Sequence, residues 1–154
     1  MTNRDVARAK QRVDHAFELI RSLPDEPEVQ SHWARYLCVL VSGFIEAAVR
    51  SIYGQYAKDK AAPYVANYVE RELEYFQNPS MGKILEIARA FSPAWETELR
   101  AASEGAPRDA VDSIVANRHN IAHGRVTGIS YVQVREYYGR AVPVVELIDE
   151  QCRR

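Results

Sequence analysis

The chain has 154 residues, 47% hydrophobic and 27% charged, which fits one domain built on one core. Lysine and arginine number 20 against 21 aspartates and glutamates, a formal net charge of −1. That balance argues against wholesale non-specific binding to nucleic acid and leaves room for a local basic patch.

Taken in order, residues 3–22 carry Val6, Ala9, Val13, Ala16, Phe17 and Ile20 at helical spacing, with Asn3 as N-cap. Pro24 and Pro27 are expected to close this helix and form a turn. From about Glu28 to Lys58 apolar residues recur at three- and four-residue steps, from Trp33, Tyr36 and Leu37 through Phe44 and Ile45 to Ile52, Tyr53 and Tyr56. That pattern predicts a long central helix with a wide apolar stripe. Gly43 inside it costs about 1 kcal/mol relative to alanine, which a close helix contact would explain. Glu46 admits two readings: a surface pair with Arg50, or a carboxylate turned toward Arg118 or an imidazole.

Pro63 suits the first turn of a third helix, with Val65, Tyr68, Val69, Leu73 and Phe76 as its apolar positions. Asn78-Pro79-Ser80 reads as a turn, and Ser80 as the cap of a helix from Met81 to Phe91. Ser92-Pro93 opens a short helix to about Ala102, and residues 103–107 form a loop. A helix from Pro107 to His123 follows, then a short connection. The last helix starts at Thr127 or Ser130, runs to about Cys152 and should kink at Pro143. The expectation is an all-α fold: an up-and-down four-helix bundle core, with two or three short helices inserted after the second, forming a single domain over residues 1–154.

Cys38 and Cys152 match no metal spacing and read as reduced thiols. The start, Met1-Thr2-Asn3-Arg4-Asp5, shows no apolar signal segment, and no apolar run is read as approaching spanning length. A cytoplasmic protein with no membrane partner is expected.

The densest chemistry lies in Arg118-His119-Asn120-Ile121-Ala122-His123-Gly124. Gly124 suits the left-handed position just past a helix end, so the imidazoles fall near the carbonyl end. His119 and His123, four apart, share a face. Arginine can fork onto phosphate oxygens, and an imidazole can donate or accept a proton near neutral pH. RNA carries its own nucleophile, the 2′-hydroxyl. Cutting it by internal attack needs a base, an acid and positive charge near the phosphorus, and histidine with arginine supplies these without a metal. Asn120 can hydrogen-bond the ribose or phosphate, or orient an imidazole. Arginine and histidine at a helix end also serve commonly as solvated or carbonyl-capping groups. The His119/His123 spacing matches two ligands of a helical zinc site, but the glutamate of His-Glu-x-x-His is missing, so no metal and no cofactor are expected.

This seven-residue run closely resembles the signature of HEPN domains: arginine, a polar residue, three further residues, then histidine. The setting is similar too, with the motif ending a late helix, a final helix after it, and an acidic residue, Glu46, on the second helix. The likeness is closest to stand-alone bacterial HEPN proteins of defence or toxin–antitoxin type, although His119 stands where asparagine is commoner. The resemblance implies a helical bundle that pairs as a homodimer, with two motifs facing one groove. It implies a metal-independent endoribonuclease that leaves a 2′,3′-cyclic phosphate and a 5′-hydroxyl, with RNA and an antitoxin protein as partners. Arg118 would then stabilise the phosphate, His123 act as acid or base, and His119, Asn120 and Glu46 support them. Family members that have lost catalysis imply the alternative, a helical module that binds nucleotide, RNA or protein. A purely structural protein using its aromatic helix faces is a third reading.

Overall fold

The axis of the molecule is a helix of 34 residues, Pro27–Lys60. The computed structural model describes residues 3–154; Met1 and Thr2, the first residues of the start read above for a signal segment, lie outside the described residues. Seven helices follow one another with no strand among the described residues: α1 (Arg4–Arg21), α2 (Pro27–Lys60), α3 (Pro63–Glu74), α4 (Met81–Phe91), α5 (Pro93–Ser103), α6 (Ala106–Ala122) and α7 (Tyr131–Gln151). The fold is all-α, with α1, α2, α6 and α7 as the bundle and three short helices inserted after α2, as the periodicity predicted.

Helix α2 packs against α1, α3, α6 and α7, which explains its wide apolar stripe. Leu37, Val41, Ile45, Ala48, Val49 and Ile52 are buried in the core cluster. Burying each large aliphatic side chain contributes about 1.5–3 kcal/mol relative to leaving it exposed. By length and composition this helix could cross a membrane: its most apolar stretch has mean hydropathy 1.5, and 61% of that stretch is buried inside the fold. The reading that no apolar run approaches spanning length is corrected to that extent. Here the apolar stretch faces other helices.

Two pins hold α1 to the bundle. The Asn3 side chain accepts from the backbone N–H groups of Asp5 and Val6, capping α1, and donates to Ser51 of α2. Farther along α1, the Tyr138 hydroxyl of α7 donates to Asp14 at 2.7 Å, and the Tyr138 ring stacks on Phe17 at 5.3 Å. Ser130 starts α7 through a reciprocal capping box with Gln133. Pro143 lies on the exposed side of α7, and the helix runs continuously through it.

Several local expectations change. Pro27 is the first residue of α2 and closes nothing. Ser92 takes the N-cap position of α5 without a side-chain cap bond. Trp33 and Tyr36 stay exposed, edge-on to each other at 5.5 Å, and Val65 and Tyr68 of α3 also face outward. Gly43 has no close helix contact: a Cβ built there meets nothing within 4 Å, and the position is exposed. Gly43→Ala should therefore stabilise the protein by about 0.5–1 kcal/mol through helix propensity. A raised urea midpoint checks this; a lowered one would mean that a partner needs the bare backbone there.

Candidate active site

The site forms where α6 ends against the loop between α3 and α4. Helix α6 stops in a Schellman motif: Gly124, at φ 66°, donates to the Ile121 carbonyl, and the Arg125 N–H reaches the Asn120 carbonyl at 2.8 Å. Only a residue tolerant of positive φ closes the helix this way, so Gly124 fixes where His123 stands. His123 becomes the C-cap residue and is exposed, as is His119. Their rings lie 4.4 Å apart between centroids, inclined at 59°. The connection that follows is held in place by Thr127, whose hydroxyl donates to Asn117 Oδ1 at 2.6 Å and accepts from the Ile129 N–H. Thr127 thus anchors this loop, and Ser130 starts α7.

Arg118 leaves α6 on a different side and is half-buried. Its Nη1 donates to Asn78 Oδ1 at 2.9 Å. Asn78 sits at φ 54°, a left-handed conformation that asparagine tolerates better than most residues. Two residues of α2 hold that loop. Glu46 Oε2 accepts from the Asn78 N–H at 3.2 Å, while Glu46 Oε1 lies 3.3 Å from Arg50. Arg50 in turn donates to the carbonyls of Glu74 and Phe76 at the end of α3, each at 2.8 Å. A cation at that end also suits the helix dipole. Glu46 thus makes the Arg50 pair and touches neither Arg118 nor an imidazole. It reaches Arg118 only through Asn78, which corrects the direct-contact reading.

Asn78 is the site residue that the sequence did not single out. Its signal was an asparagine before Pro79, which reads as a turn and says nothing about a partner forty residues away. A second tie crosses the same gap: Asp112 of α6 accepts from the Met81 N–H at 2.8 Å, at the positive end of α4. Between these elements lies an open concavity of about 600 Å³, lined by Asn78, Ser80, Gly82, Arg108, Asp112, His119 and Asn120 among others. Asn120 thus borders the concavity, half-buried, alongside His119. Of the arginines near the motif in sequence, Arg108 lines the concavity, Arg125 is exposed directly after the cap, and Arg135 is exposed on α7.

Among the described residues no group of three His, Cys, Asp or Glu side chains comes together to hold a metal. The thiols are not poised as nucleophiles. Cys38 packs behind the motif with its Sγ on the Ile114 carbonyl, and burial pushes its thiol up to about 12. Burial, then the charge of Asp149, raises Cys152 to about 12 as well.

The arrangement offers a fixed cation, two adjacent open imidazoles and an amide beside a concavity. That set can bind a phosphate and exchange protons with groups attached to it. A model of the RiboL-PSP-HEPN family matches residues 4–154. No curated protein and no solved structure matches the chain.

Two measurements follow from this geometry. Glu46→Gln should cost about 1–2 kcal/mol in urea unfolding, because it weakens a charge-assisted bond, and should speed amide exchange at Asn78. Unchanged exchange at Asn78 would remove Glu46 from the loop's support. The thiols ionise only near pH 12 in the folded chain but from about 9 once unfolded, so stability should fall as pH rises through that window. At about pH 8, labelling of Cys38 by a disulfide reagent should accordingly follow unfolding, and fast labelling of Cys38 in the native protein would contradict its burial.

Proposed function

The chain belongs to the RiboL-PSP-HEPN family, a membership that suggests a nuclease or RNA-related function, and from that premise we propose that it is a metal-independent endoribonuclease. The 2′-oxygen of a ribose attacks the adjacent phosphorus as its proton passes to a base. The bond to the 5′-oxygen breaks as an acid protonates that oxygen. The products are a 2′,3′-cyclic phosphate and a 5′-hydroxyl, and no water or metal enters the step. Arg118 is assigned to the charge developing on the phosphoryl oxygens. His123 is assigned to acid or base work, with His119 and Asn120 assisting at the ribose or phosphate.

One observation carries this reading. Arg118 is held by Asn78 through a single Nη1 bond, while His119 and His123 stand open beside each other at the end of the same helix. A guanidinium fixed by one donor keeps its other donors for a phosphate, with less rotamer freedom left to lose on binding. Glu46 contributes at one remove, through the loop that carries Asn78.

The second half of the proposal concerns assembly and setting. We place the working site between two copies of the chain, with RNA held where their motifs meet, because a twofold axis near the motif doubles the proton-exchanging groups. The proposed setting is the cytoplasm, in defence or as the toxin of a toxin–antitoxin pair, with an antitoxin protein as the further partner.

Purified protein incubated with RNA in excess chelator should generate cyclic-phosphate ends. His123→Ala and Arg118→Ala should each lower the rate by about 10²-fold or more, with helical circular dichroism unchanged. Binding without cleavage by the wild type would favour the non-catalytic RNA- or protein-binding module. Cleavage surviving both substitutions would reject the assignment. Sedimentation at working concentration should give the mass of two chains.

A further inference from the structure

The concavity beside the motif does not end there. A second one, of about 260 Å³, lies between α4 and α5 and is lined by Gly82, Leu85, Glu86, Arg89, Glu96, Arg100 and Arg108. The two share Gly82 and Arg108 and so lie side by side, an open channel of two adjoining hollows leading from His119 and Asn120 across α4. On α6 the residues that line the first concavity are Arg108, Asp112, Val115, Ala116, His119 and Asn120. At about 100° per residue these six fall within an arc of about 140°, a broad stripe along one side of the helix. From Arg108 to His119 the stripe spans about 16 Å at 1.5 Å per residue. The His119 ring then touches His123, which brings the stripe to the motif's second imidazole.

From this geometry we infer that the channel is a binding site for the RNA strand flanking the scissile phosphate, with Arg108 as the anchor of a neighbouring phosphate. The inference rests on the ribonuclease reading for its starting point at the motif. Three features select a strand as occupant. The channel is elongated and reaches His119 and Asn120 of the motif. Its length along α6 admits at most about five nucleotides at the stacked rise of about 3.4 Å. Its floor is low at Gly82, where a built Cβ meets nothing within 4 Å.

Charge fits a strand held at discrete points. Asp112 is committed to the Met81 N–H and Glu96 to Arg100, while Arg108 has only a loose 3.8 Å contact with Asp112. Arg89 is exposed and has no ion pair among the described residues. Arg108 and Arg89 are therefore the guanidinium groups open to phosphates, with Glu86 as the uncommitted carboxylate on the channel's edge. The near-neutral balance makes binding depend on a phosphate meeting an arginine, rather than on a broad positive field.

Gly82→Leu tests this without unfolding the chain. Open space accepts the new side chain, and leucine favours α4, so the urea midpoint should not fall. The binding probe is a strand of about ten nucleotides carrying 2′-O-methyl groups, which cannot be cut because the nucleophile is blocked. Gly82→Leu should weaken its binding by about tenfold or more. Arg108→Ala should lower the slope of log K against log salt by about 0.7, the loss of one phosphate contact from a single strand. With cleavable RNA, both variants should lose more kcat/KM on the long strand than on a dinucleotide, because only the long substrate extends along the channel. Wild-type affinity in both variants, or no binding by the wild type, would overturn the channel. A wild type that binds the blocked strand through Gly82 and Arg108 yet cuts no RNA would keep the channel and remove the nuclease reading.

Discussion

The hydrogen bond from Arg118 to Asn78 joins the parts of the chain that make up the candidate site. Arg118 comes from α6, Asn78 from the loop after α3, and that loop is gripped by Glu46 and Arg50 of α2. Without the grip, the arginine would be a long side chain with many rotamers. With it, the guanidinium has a defined position at modest entropic cost when a ligand arrives. Asn78 holds the link because it can sit at positive φ, present its side-chain oxygen to Arg118 and offer its N–H to Glu46.

Helix ends do the remaining placement. The Schellman closure at Gly124 decides that His123 is a cap residue rather than part of a continuing helix. The positive end of α4 meets Asp112, tying the near wall of the concavity to α6. Thr127 clasps Asn117, so the connection after the motif stays against the body of the protein. Each of these is a placement decided by a single residue. Together they leave His119 and His123 exposed while Arg118 is half-buried.

The long apolar stripe of α2 explains why such a site stands on a firm base. Its buried residues contact helices on several sides, so the stretch carrying Glu46 and Arg50 sits in the core of the bundle. The polar residues on its outer edge inherit that rigidity. A loop tethered to them moves less than a free surface loop would, which suits a group required to hold an angstrom-scale geometry.

Much of this was legible in the amino-acid order. Helix positions followed from three- and four-residue apolar spacing, and the ends from Asn3, Ser80, Pro63 and Gly124, because capping and backbone φ are properties of single residues and their neighbours. The cluster from Arg118 to His123 could be read as a chemical unit for the same reason. What periodicity overstated was burial: Trp33, Tyr36, Val65 and Tyr68 keep helical spacing but find no helix to cover them. Only the tertiary structure decided that Glu46 serves Arg118 through Asn78, and that Arg108 shares a concavity with His119. Those relations join residues far apart in the chain, and their geometry depends on how three helices cross. A sequence pattern encodes which face a residue occupies on its own helix, while the meeting of faces is set by packing.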